Sequence, residues 1–195
     1  MRNVYRTHTL RCGATTLLLA FGMLCCNGAH ADTKVYLLRG WFGVFSTGLD
    51  TIAEHLRGKV VKAEALSHRA WRSVVADIVK ERDAGATHRI ALVGHSQGAN
   101  NVIEIARELK AYNIPVDLLI TLVAFGQDPV PSNVRRAVNY YQSPGWGSAL
   151  VTDPGFNGEL ANVNVAGEWE IFHVNIDKSS KIQAEVVKAI MALPP

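Results

Sequence analysis

The sequence predicts an α/β protein with a mainly parallel central sheet of about six strands flanked by helices, and three observations carry that expectation. Short apolar strand runs alternate with segments of helical period along the chain, the pattern of strands joined by helical crossovers. Residues 116–124 read as one long buried strand. Residues 89–100 lead an apolar strand straight into Gly-x-Ser-x-Gly spacing at Gly94, Ser96 and Gly98, and then into a helical pattern.

The elements follow in order. Residues 35–38 form the first strand, and the turn at 39–43 carries Gly40 and Gly43. Residues 47–50 resemble a capping box ahead of a helix whose apolar face is Leu49, Ile52, Ala53 and Leu56. A second strand is expected over 60–65. A second helix follows over 69–84, with Trp71, Val74, Val75, Ile78 and Val79 toward the core. The third strand ends at Val93, and the helix after Ser96 carries Val102, Ile103, Ile105, Ala106 and Leu109. Pro115 breaks the chain before the strand at 116–124; weaker strands are expected at 136–142 and 161–165, and a closing helix at 179–193. The stretches 125–133, with Pro129 and Pro131, and 143–158, rich in Gly and Pro, read as irregular. No repeat or low-complexity tract is visible, and there is no room for a lid domain.

Residues 1–31 have the layout of an export signal. Arg2, Arg6 and Arg11 precede an apolar run centred on residues 17–24, and Ala29 and Ala31 give the small-x-small cleavage pattern before Asp32. The run is shorter than the ~20 apolar residues of a spanning helix, so cleavage is expected rather than an anchor, leaving no stable membrane span. A lipoprotein reading through Cys25 or Cys26 is weaker, because small residues are missing before each cysteine. On this reading 32–195 is a single domain, periplasmic or secreted. All three cysteines leave with the signal, so no disulfide supports the fold. Three basic residues leave as well, which balances the remaining basic residues against the 17 acidic ones. The overall basicity therefore belongs to the leader, and nothing points to a nucleic-acid partner.

The chemistry centres on Ser96. A serine hydroxyl is a poor nucleophile until a sharp turn exposes it and a base takes its proton, and the tight approach of strand and helix there demands small residues such as Gly94, Gly98 and Ala99. The helix start also aims N–H groups at a developing oxyanion. On this type of sheet the order is Ser, acid, His, and His173 is the only histidine downstream of Ser96. His88 lies at the wrong end of its strand and His55 within a helix. The side chain of His95 should point away from its neighbour, and His68 is the serious rival. Asp128, soon after the long strand, is the expected acid, with Asp153 as competitor; Asp177 reads as a solvated or capping residue. The expected oxyanion donors are the N–H of Gln97 and, from the turn after the first strand, that of Trp41, where Gly40 lets the chain approach closely. Tyr140, Tyr141, Trp146 and Phe156 are candidates for an apolar acyl site. No metal-ligand pattern or phosphate-binding glycine loop occurs, and no cofactor is expected.

With these residues in place, the chain resembles the α/β-hydrolase superfamily over residues 34–193, and in particular small exported bacterial members with Gly-His-Ser-Gln-Gly elbows similar to lipases and thioesterases. The resemblance implies a minimal α/β-hydrolase fold without a lid domain, a Ser96, Asp128 and His173 triad, and hydrolysis of a small-molecule ester or lipid through an acyl-enzyme. Two alternatives stay open: a thioesterase of the same fold, and a non-catalytic ligand-binding envelope protein.

Overall fold

The computed structural model describes residue 1 and residues 33–194 apart from 42, 60 and 127. The expected export signal, with its cysteines and cleavage site, lies outside the described residues. The elements run β1 (Thr33–Arg39), α1 (Gly48–Arg57), β2 (Lys62–Ser67), α2 (Trp71–Asp83), β3 (Arg89–His95), α3 (Gln97–Ala111), β4 (Leu118–Leu122), β5 (Arg136–Tyr141), β6 (Glu159–Asn164) and α4 (Ser180–Met191). Single 3₁₀ turns at His68–Ala70 and Ile176–Lys178 precede α2 and α4.

All six strands are parallel, in the order β2-β1-β3-β4-β5-β6. The crossover through α1 carries the chain outward from β1 to β2, and the next one returns it to the other side of β1. The order thus reverses between β1 and β3, and the crevice at the carboxyl ends of those two strands is where an open α/β sheet binds its ligand. The turn after β1 and Ser96 after β3 flank that crevice.

Alternation along the strands sorts the core into two layers. Leu37, Val93 and Ile120 face α1 and α4, packing on Leu49, Ile52, Ile182 and Val186. Leu38, Leu92 and Leu119 face α2 and α3, packing on Val74, Ile78, Val102 and Ile105. Central strands covered on both faces need near-continuous apolar runs, and β3 and β4 have them.

Several local expectations shift. Thr47 makes no side-chain cap; Asp50 pairs instead with Arg39 at the end of β1, so the capping box at 47–50 is not formed. Trp71 is half-buried at the start of α2, with the Arg72 guanidinium over its ring. The long strand predicted at 116–124 is only β4, joined to Val134 by an isolated bridge at Val116. It ends early because Val123 has φ 49°, a left-handed backbone that β-branched residues avoid, which turns the chain sharply.

Candidate active site

Ser96 sits between β3 and α3 with φ 57° and ψ −122°, a strained conformation held by tight packing around it. A Cβ on Gly94 would come within 2.3 Å of the Gly98 carbonyl oxygen, and one on Gly98 within 2.0 Å of the Leu38 carbonyl oxygen. These glycines let α3 lie directly on β3 and β1. The turn after β1 comes equally close, since a Cβ on Gly40 would approach the Ser96 Cβ to 3.0 Å.

The structure brings Ser96 and His173 together: Oγ and Nε2 are 3.2 Å apart. His173 stands on the loop between β6 and α4, as expected. Burial pushes its imidazole down to about 4, with His95 adding to the effect, so it is neutral and able to accept the Ser96 proton. His68 does not compete for that role: the histidine bonded to Ser96 Oγ is His173, while His68 Nδ1 donates to the Gly40 carbonyl at 3.2 Å.

The acid departs from expectation. Nδ1 of His173 is buried without a hydrogen-bond partner among the described residues. The imidazole is flanked by Trp146 and Phe125, with ring centroids 4.5 and 5.0 Å away. The turn at Val123 aims Phe125 toward His173, while the Asp128 carboxylate lies beside Gly126, 3.0 Å from where a Cβ would stand. Asp128 is thus near the active end of the sheet but not bonded to the base. Asp153 is excluded more firmly. It pairs with Lys110 in the last turn of α3, and a 15-residue helix puts that turn roughly 20 Å from Ser96. Asp177 is fully buried rather than solvated; its Oδ2 accepts from the Gly48 N–H at the start of α1, and burial pushes its carboxyl up to about 6.

Two residues missed in the sequence reading organise the centre. His95 is 1% exposed, and its Nε2 lies 2.7 Å from the His173 carbonyl oxygen. A carbonyl only accepts, so Nε2 carries the proton and Nδ1 must accept. It does so from Ser46 Oγ at 2.7 Å, and Ser46 Oγ in turn accepts the Gly40 N–H at 2.9 Å. One relay therefore ties the turn after β1 to the loop carrying His173. It also engages the Gly40 N–H, so what Gly40 gives the site is the close approach of its turn to Ser96. The signal for His95 was its place in the elbow. Ser46 carried none, because only the folded turn brings it there.

Around Ser96 lies a cleft of about 190 Å³ walled by Trp41, Phe45, Phe125 and Val174. Of the four aromatic residues expected at an acyl site, only Trp146 reaches the centre, through its contact with His173. Tyr140 is in the core, and Phe156 packs against the opposite core layer. Among the described residues no cluster of His, Cys, Asp and Glu could hold a metal ion, and no helix is long and apolar enough to cross a membrane.

The low imidazole pKa gives a pH prediction. The base works only when neutral, so lowering its pKa moves the loss of activity to lower pH. We expect kcat/KM for an uncharged ester to fall with a midpoint near 4 instead of the ~6.5 of free imidazole. A midpoint at or above 6.5 would mean that solvent or a carboxylate reaches Nδ1.

Comparison with known proteins identifies the fold. No protein-family model and no curated protein matches the chain. Solved structures do match. Lipase B of Aspergillus fumigatus aligns with TM-score 0.58 at 12% identity, over 87% of this chain and 54% of the lipase. A gene product of Listeria innocua aligns with TM-score 0.55 at 12% identity, over 79% of this chain and 92% of its own. The type II thioesterase BorB of the borrelidin biosynthetic cluster aligns with TM-score 0.51 at 12% identity, over 81% and 92%. The chain has the α/β-hydrolase fold, with a six-stranded parallel sheet between helices and Ser96 at the sharp turn from β3 into α3.

Proposed function

We propose that this protein is a serine hydrolase that cleaves carboxylic esters through an acyl-enzyme, using Ser96 as nucleophile and His173 as general base. The observation that carries the reading is the 3.2 Å approach of Ser96 Oγ to His173 Nε2 at a strained elbow. It favours catalysis over a ligand-holding role, in which nothing would require that pairing. His173 Nε2 takes the Ser96 proton as Oγ attacks the ester carbonyl. The tetrahedral oxyanion then accepts from the N–H groups of Gln97, at the start of α3, and Trp41, beside Ser96 in the cleft. The proton on Nε2 passes to the leaving group, and water repeats the cycle to free the acid. The pair acts as a dyad on this reading, supported by the unpartnered Nδ1 of His173, and Asp128 does not complete it. Thioesters undergo the same chemistry, and the likeness to a thioesterase keeps them as the alternative substrate. The export-signal layout of the first 31 residues of the sequence supports a periplasmic or secreted location.

A fluorophosphonate probe is the direct test. We expect covalent labelling at Ser96, lost in Ser96→Ala, together with turnover of short-chain aryl esters. A folded protein that neither labels nor turns over aryl esters or matched thioesters would overturn the reading.

A further inference from the structure

Two adjoining clefts of about 630 and 340 Å³ share Trp41, His68 and Arg69. The smaller one reaches Gln97, the residue next to the nucleophile, and also takes in Arg72 and Asn101. No carboxylate lines either cleft. We propose that these clefts form a subsite for an anionic group, a carboxylate or phosphate borne by the substrate, held by Arg69 and Arg72.

Four features support this. Neither guanidinium has a carboxylate partner among the described residues, although Arg39, Arg107 and Arg135 all do. Arg72 is preorganised, its guanidinium 4.2 Å from the Trp71 ring centroid, an arrangement that fixes the fork without using its donors. His68 is fixed by its bond to the Gly40 carbonyl, so its ring joins the cleft wall to the turn beside Ser96. Asn101, only 9% exposed, has its Oδ1 engaged by Gln97 Nε2 at 3.4 Å, which leaves its NH₂ group as a donor. Donors thus converge from three residues, Arg69, Arg72 and Asn101, on a space without an acceptor carboxylate, and paired guanidiniums suit the two-oxygen edge of a carboxylate or phosphate. The subsite gives a use to His68, which the hydrolytic dyad leaves aside. It also complements the apolar cleft around Phe45, Phe125 and Val174, so one substrate can present an uncharged group to one side and an anion to the other.

The identity of the bound molecule as a substrate rests on the hydrolase reading; the anion site itself does not. Two matched pairs separate the sources of charge. Mono-p-nitrophenyl succinate against p-nitrophenyl butyrate tests an anion on the acyl part. Butyryl-coenzyme A against the butyryl thioester of N-acetylcysteamine tests one on the leaving group. We expect the anionic member of at least one pair to be preferred by roughly ten- to a hundredfold in kcat/KM, as for one or two charge-assisted hydrogen bonds. That ratio should collapse toward one in Arg69→Ala/Arg72→Ala and shrink as salt is raised. Independently of turnover, pyrophosphate should perturb the tryptophan fluorescence of the wild type and of Ser96→Ala, but not of the double arginine variant. Hydrolysis of the uncharged esters with no anionic preference and no pyrophosphate response would overturn the subsite and leave the hydrolase reading intact. Pyrophosphate binding lost with the two arginines, in a protein that turns over none of the four compounds, would do the reverse.

Discussion

Ser96→Ala and His173→Ala should each lower kcat toward an aryl ester by roughly 10⁴- to 10⁶-fold, and the double variant by no more than either alone. A nucleophile and its base act as one device: without the base the hydroxyl stays protonated, and without the hydroxyl the base has nothing to activate. What survives is the work of the Gln97 and Trp41 donors and of binding. The same logic sets a small effect for the acid. Asp128 does not touch the imidazole, whose orientation is held by Phe125, Trp146 and the grip of His95 on the His173 carbonyl. Asp128→Asn is therefore expected to keep kcat within about tenfold, ~1.4 kcal/mol of barrier. A loss near the ~10⁴-fold seen when a triad aspartate becomes asparagine would show that Asp128 engages Nδ1 during turnover, and the dyad would have to be abandoned.

That contrast marks where the sequence was legible. The elbow could be read because its demands are local: an apolar strand, a serine, small residues on both sides, then a helix. His173 followed from chain order alone. The sheet was readable for a similar reason, since strands buried on both faces leave continuous apolar runs such as those of β3 and β4. That no acid meets His173 was not readable, because where Asp128 lands depends on the direction taken after β4. That direction is set by a left-handed Val123, and a β-branched residue gives no hint of such a backbone. Ser46 was hidden for the opposite reason. An ordinary loop serine becomes the link between Gly40 and His95 only once the turn after β1 has folded over β3. Asp153 looked plausible because it follows the next strand, but its pairing with Lys110 places it at the far end of α3.

The second large effect concerns stability and tests the packing that strains the elbow. Gly98 is the second residue of α3, and helix propensity alone would make Gly98→Ala stabilising by about 1 kcal/mol. Sterics oppose this. The new methyl would stand 2.0 Å from the Leu38 carbonyl oxygen and 2.7 Å from that of Arg39, both backbone atoms of a central strand that cannot rotate away. Overpacking of this kind costs about 1–3 kcal/mol where side chains can yield, so the net expectation here is a loss of ~3 kcal/mol, which lowers Tm by roughly 6–12 °C for a domain of this size. Gly167→Ala is the matched control, because its Cβ would meet nothing within 4 Å and its backbone is not left-handed; it should stay within about 0.5 kcal/mol of the wild type. Activity should fall further than the fraction unfolded accounts for, since pushing α3 off β1 shifts Ser96 and Gln97 relative to the Gly40 turn. A Gly98→Ala protein as stable and as active as the wild type would show that α3 does not lie on β1 as closely as described, and the oxyanion geometry built on that contact would fall with it.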